Sequence, residues 1–197
     1  LALYGKTTNI PQAKDLGLTI ALAPDWSMGG SQNLLDEIRV AQSWDNTHWG
    51  GILTAQDLFE MTTTNAAKAI GLDNVLGHLE VGQLADIVVF TSAGASPYDA
   101  LLSASPPNIR LVLVGGVPLF GDPALQAIAP SEPGCETLEL CGSSRFICVA
   151  ESSTADKLDQ PLQLIETQLN EALVAVDTLV PETSDLCGGC GSNEECY

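Results

Sequence analysis

Leu18-Thr19-Ile20-Ala21-Leu22-Ala23 is an unbroken apolar run, ended at once by Pro24-Asp25-Trp26 and a glycine-containing stretch, Met28-Gly29-Gly30-Ser31. A run with no polar alternation fits a strand covered on both faces, as parallel strands of α/β folds are. The next stretch has helical spacing: Leu34, Leu35, Ile38 and Ala41 fall on one face, with Ser31 placed to cap the free N–H groups. A strand, a turn bearing a carboxylate and a helix make a βα unit. In parallel sheets the C-terminal ends of strands gather the loops that bind ligands, so Asp25 stands where a working side chain is expected. An aspartate between proline and tryptophan is also ordinary turn chemistry, and position alone leaves both readings open.

The neighbouring elements follow the same alternation. Ile10 to Leu16 reads as a short helix stopped by Gly17. Thr54 is a good N-cap for a helix carrying Leu58, Met61, Thr62, Ala66, Ala69 and Ile70, with Gly71 at the left-handed C-terminal position. From residue 72 the signals become strand-like. Leu84 to Phe90 is one candidate, and Ile109–Val114 and Val117–Phe120 form a hairpin around Gly115-Gly116. Between them, Pro97 to Leu102 reads as a short helix. Three regions result: 1–71 with βα units, 72–122 with a small β module, and 123–197, which opens on a Pro-rich linker and contains all six cysteines. The last region has one strong element, a helix over Pro161 to Val180 with an apolar stripe of Leu162, Ile165, Leu169, Ala172, Leu173 and Val176, which must dock against something.

Charge narrows the partners. With 25 acidic and 7 basic residues the formal net charge is −18. Nucleic acid and anionic membrane both need clustered Lys and Arg, so neither is expected as a partner. An acidic surface serves solubility and carries no catalytic meaning here. No apolar run approaches the ~20 residues of a membrane-spanning helix. The chain opens on Leu1 and turn-rich sequence, so the true start, and any export signal, is expected upstream.

The motifs of two stretches carry a resemblance. Leu18 to Ala41, with Pro24-Asp25-Trp26 and Gly29-Gly30-Ser31-Gln32-Asn33-Leu34-Leu35, resembles the last barrel strand and following helix of the amidohydrolase superfamily. More specific are Met61-Thr62-Thr63-Thr64-Asn65-Ala66-Ala67-Lys68-Ala69-Ile70-Gly71-Leu72 and Gly77-His78-Leu79-Glu80-Val81-Gly82-Gln83-Leu84-Ala85-Asp86-Ile87-Val88-Val89-Phe90, in that order and spacing. The likeness continues through Pro97-Tyr98-Asp99 to Pro118-Leu119-Phe120-Gly121-Asp122.

This resemblance implies an α/β chain: the C-terminal fragment of a (β/α)₈ (TIM-type) barrel, then part of a small composite β-sandwich, then a Cys-containing helical tail. It implies that Asp25 binds a divalent metal, zinc in the first instance, and shuttles a proton during hydrolysis of a C–N bond in a small-molecule substrate, whether amide, cyclic amide or amidine. The family's remaining ligands, a His-x-His pair on the first strand and further histidines on middle strands, are not among these residues. His48 and His78 occupy positions the family does not use for metal, and both read as surface or packing residues. Asp86, in the β module, reads as fixing a turn. Trp26, Trp44 and Trp49 read as core or rim packing. A whole barrel needs ~250 residues, so the missing N-terminal barrel portion of the same protein is the implied partner and the segment alone should be inactive.

The cysteines are Cys135, Cys141, Cys148, Cys187, Cys190 and Cys196. Cys187-Gly188-Gly189-Cys190 has redox or zinc spacing but lacks the strand–helix setting of the first and the second close pair of the other. Disulfides are favoured, with fifteen pairings open, which places the protein in the periplasm or outside the cell; free thiols in the cytoplasm are the alternative. A second functional class stays in view: a non-catalytic secreted scaffold or interaction protein that keeps the fold without metal. Substrate, nuclearity of the metal site and oligomeric state are not legible.

Overall fold

Helix starts are set by short polar side chains that accept backbone N–H groups. In the computed structural model, which describes residues 6–25, 31–91, 96–131, 134–150 and 160–175, Asn9 accepts from the Gln12 N–H and opens α1, Ile10–Asp15. Asn33 accepts from the Asp36 N–H and opens α2, Leu34–Trp44. The expected cap, Ser31, lies two residues too early and bonds elsewhere. The helix expected from Thr54 is present and starts with a full capping box, Thr54 and Asp57 each accepting from the other's N–H. It does not run unbroken to Ile70. Thr63, at φ −128° and ψ −94°, divides it into α3, Ala55–Thr62, and α4, Thr64–Ala69.

The chain forms two compact units. One contains the described residues up to Ala85 together with Phe90–Ser105; the other contains Asp86–Val89 and the described residues from Pro106 onward. These units cross the three composition regions, because α5, Pro97–Leu102, belongs with the first. Its core is Ile38, Leu58 and Met61, with Ile20, Leu22, Ala41, Leu53, Leu101 and Leu102 packed around them.

The Leu18–Ala23 run corrects one expectation. It pairs with no strand among the described residues. Ile20 and Leu22 turn toward the core while Leu18, Thr19, Ala21 and Ala23 are exposed, and the Leu22 N–H donates to the Met61 carbonyl at 2.9 Å. The run therefore has one covered face where two were expected. A parallel strand is covered on both faces only when neighbouring strands and helices are there to cover it.

The second unit is built on a five-stranded sheet in the order β1-β2-β3-β5-β4. The strands are β1, Ile87–Phe90, β2, Ile109–Val114, β3, Val117–Gly121, β4, Glu136–Leu140, and β5, Ser143–Ile147. The hairpin expected at Gly115-Gly116 is β2–β3, with both glycines at positive φ, the two-residue connection that left-handed backbone makes tight. A register shift between Val112 and Leu113 sets Leu113 opposite Pro118, which suits a residue with no N–H to give the ladder.

The β4–β5 hairpin is absent from the sequence expectations. Alternation in Glu136-Thr137-Leu138-Glu139-Leu140, then Cys141-Gly142 at φ 53° and 75°, were its signals. It continues the sheet through Phe120 opposite Ile147 and Gly121 opposite Phe146. A Cβ on Gly121 would stand 2.9 Å from the Phe146 ring, so glycine is what lets that buried ring come so close to the strand. A disulfide, Cys135–Cys148, closes the open end of the hairpin. Cys141 is disulfide-bonded as well.

The last helix, α6, spans Leu162–Ala175 in the described residues. Pro161 lies just before it, and its carbonyl accepts from Leu164 and Ile165. Glu136 supplies the cap from another element, accepting from the Leu162 and Gln163 N–H groups. Among its described side chains, burial lies at that end: Leu162 and Ile165 are half-buried, whereas Leu169 is 59% and Val174 81% exposed. The remainder of the expected helix to Val180, and the Cys187–Cys190 pair with Cys196, lie outside the described residues.

Candidate functional site

Asp25 is exposed and makes no hydrogen bond or ion pair to any described residue. Its backbone is placed from the N-terminal side, by the Leu22–Met61 hydrogen bond three residues earlier and by Ile20 and Leu22 in the core. On the other side, the first described residue is Ser31, which is buried and donates to Glu37 Oε2 at 2.5 Å. Residues 26–30, including Trp26, lie outside the described residues.

Of the other polar residues picked out in the sequence, His48 and Asp86 make structural contacts. His48 is exposed and stacks on Trp44, ring centroids 3.5 Å apart, with Nδ1 2.7 Å from the Thr47 hydroxyl. His78 is exposed in the turn that begins at Gly77. Gly77 has φ +96°, and a Cβ there would meet that of Ala67 at 2.8 Å; the turn lies directly on α4, and only glycine fits. Asp86 accepts from the Gly115 N–H at 2.6 Å, so the turn it fixes is that of the β2–β3 hairpin.

The most buried carboxylate in the first unit went unnoticed in the sequence. Asp45 is 1% exposed, at the start of a π-helical turn, Asp45–Trp49, that continues α2. Its Oδ1 accepts from the Ile52 N–H at 3.0 Å and its Oδ2 from the Leu53 N–H at 2.8 Å, wrapping the chain around one side chain. Nothing in Trp44-Asp45-Asn46 marks this, since the partners are backbone N–H groups, which carry no residue-specific signal. Asp45→Ala leaves two part-buried backbone donors without their partner and is expected to cost about 2–3 kcal/mol in urea unfolding. Asp45→Asn, with one acceptor oxygen in place of two, should fall between it and wild type.

Lys14 is a second clamp on the same loop, donating to the Ile52 carbonyl at 2.7 Å and to Asp57 Oδ2 at 2.9 Å. Burial, the largest influence on Asp57, raises its pKa; hydrogen bonds from the Thr54 N–H, Lys14 and the Thr54 hydroxyl together outweigh burial and hold the carboxyl below its ordinary 3.8. A carboxyl whose pKa is depressed by folding contributes stability that is complete above its unfolded value and lost as pH falls through the folded one. The melting temperature of wild type should therefore drop more steeply than that of Asp57→Asn below about pH 4. Parallel profiles for the two proteins through that acid range would expose the idea as wrong.

Among the described residues, no three His, Cys, Asp or Glu side chains gather in a way that could hold a metal ion. An open groove of about 340 Å³ between β4 and α6 is lined by Glu136, Leu138, Glu139, Leu162 and Glu166. Glu136 there is committed to capping α6, and Glu139 accepts from the Ser144 hydroxyl. Among the described residues, Asp25 therefore belongs to no cluster that could hold a metal ion.

Comparison with known proteins gives that solitary carboxylate a context. The sequence model of the Amidohydrolase family matches residues 3–119, more than half of the chain. A 5-methylthioadenosine/S-adenosylhomocysteine deaminase of Syntrophomonas wolfei subsp. wolfei is 31% identical over 117 residues, covering 54% of this chain and 27% of the relative. An imidazolonepropionase of Fusobacterium nucleatum is 35% identical over 78 residues, 39% of this chain and 17% of the relative. Among solved structures, Escherichia coli guanine deaminase superposes with a TM-score of 0.53 at 23% identity, over 59% of this chain and 31% of that one. The chain spans about a quarter or less of the relatives' length, and over the shared part its fold is similar to that of guanine deaminase. The chain belongs to the amidohydrolase family.

Proposed function

We propose that these residues are the C-terminal part of a metal-dependent hydrolase of non-peptide C–N bonds, with residues 1–71 as the last βα units of its barrel and Asp25 as metal ligand and proton shuttle. The observation that carries this is the family match that spans Asp25 together with the strand-like run before it and the helix after it. Relatives named as a deaminase and an imidazolonepropionase put amides, cyclic amides and amidines of small molecules in range as substrates. Residues 72–122 are assigned to the composite β domain and 123–197 to a Cys-rich tail.

A divalent ion, zinc by preference, supplies Lewis acidity that makes water a usable source of hydroxide near neutral pH. The task of Asp25 is proton transfer. Its carboxylate accepts the proton released by the attacking water and returns it to the departing nitrogen, so that an amine leaves in place of an amide anion. Being exposed and uncommitted among the described residues, it has both oxygens available for the two duties. The Cys135–Cys148 disulfide supports assignment to an oxidising compartment, periplasmic or extracellular.

The upstream coding sequence provides the first test. A His-x-His at the end of a first barrel strand is the expected result. Its absence would favour the non-catalytic scaffold and end the hydrolase reading.

A further inference from the structure

We infer that the Cys135–Cys148 disulfide is a redox latch for α6, holding the helix on the sheet through Glu136. The Glu136 carboxylate accepts from the Leu162 and Gln163 N–H groups, the first two donors of α6, which the helix itself cannot satisfy. The next two, those of Leu164 and Ile165, go to the Pro161 carbonyl just before the helix. Among the described residues, Glu136 therefore makes the only hydrogen bonds between α6 and another element. The latch is independent of the role of Asp25.

Glu136 stands where a strand frays. Among the described residues β4 is at the edge of the sheet, paired with β5 alone. Glu136 opposite Ile147 is the last pair of that ladder, and Cys135–Cys148 is the next rung. The two cysteines are held unequally. Cys148 is 2% exposed and its N–H donates to the Leu119 carbonyl at 2.8 Å, so this end of β5 is fastened to β3. Cys135 is half-buried, and the disulfide ties it, with Glu136 beside it, to the fastened strand. Breaking the bond leaves Cys148 in place and lets the Glu136 end of the edge strand open, as strand ends do. The α6 N-terminus then loses its cap, while the β2–β3 hairpin, which shares no rung with β4, keeps its pairing. Opening requires a dithiol. One thiolate attacks the Cys135 sulfur, the S–S bond breaks, and Cys148 leaves as a thiolate that takes up a proton. The second thiol then displaces Cys135, so the dithiol ends as a disulfide and two electrons and two protons have passed to the protein.

The test follows amide exchange in the complete protein, its native upstream chain included. Cys141 is also disulfide-bonded, so a reductant alone would open more than one bridge, and a double variant, Cys135→Ser with Cys148→Ala, isolates the latch. This variant and Glu136→Ala should each speed exchange at residues 162–169 by about fivefold, the order of a lost helix cap. Exchange at residues 111–114 should stay as in wild type. Combining all three substitutions should be no faster than either parent, because both act on one contact. Wild type treated with dithiothreitol should match the double variant at residues 162–169 and regain its protection on reoxidation. Three results would each overturn the latch: α6 still protected after reduction or in the cysteine variant, additive losses in the combined variant, or protection lost equally in the β2–β3 hairpin, which would make the disulfide a general support of the sheet.

Discussion

In the complete protein, Asp25→Asn is expected to lower kcat by about a hundredfold or more while leaving the fold intact. The size of the loss reflects what the substitution keeps and removes. Asparagine preserves shape and one coordinating oxygen, so the backbone and packing that place residue 25 are untouched. It removes the group that can hold and release a proton near neutral pH, and general acid–base assistance contributes ~10²–10⁴-fold. The fold should survive, because the side chain makes no bond to a described neighbour. Near-normal turnover in steady-state assays of ammonia release or ring opening would remove Asp25 from the chemistry.

The largest stability effect is expected at Asp122. Its carboxylate is buried at the end of the β2–β3 hairpin, between Arg110 and Arg145, and its N–H donates to the Arg110 carbonyl. The two arginines differ in what they lose without it. Arg110 is half-exposed and would return to water. Arg145 is buried in β5, with Nη1 and Nη2 given to the Ser144 and Pro107 carbonyls and Nε set 3.4 Å from Asp122 Oδ1 without hydrogen-bond geometry. Asp122→Ala leaves that guanidinium buried without its countercharge, which typically costs about 3–5 kcal/mol. Arg110→Ala should cost under about 1 kcal/mol, as exposed pairs do. Comparable costs for the two in urea unfolding would mean that burial of Arg145 is not what makes Asp122 matter.

Both predictions concern carboxylates, yet they were not equally visible. Asp25 could be singled out because a run of apolar residues, a break and a helical period are consecutive in sequence, and because the flanking motifs resemble one family. Asp122 could be read only as the end of a motif. Its importance lies in Arg145, which β5 brings to it across a strand pairing, and no local pattern encodes that. The same holds for Asp45, whose partners are backbone N–H groups, and for Glu136, which caps a helix 26 residues away.

The elements legible in the chain before folding are those whose physics is local. Thr54 and Gly71 marked one helical stretch, Gly115-Gly116 closed a hairpin, and Pro97 opened a short helix, because caps, tight turns and amphipathic spacing act within a few residues. Family membership was legible for the same reason, since its motifs are contiguous. Two features emerged from tertiary packing: the single covered face of the Leu18–Ala23 run, and the burial of α6 at its first turn among its described side chains. Each of these depends on which surfaces are present to be covered, and burial is a property of neighbours that the chain meets only after folding.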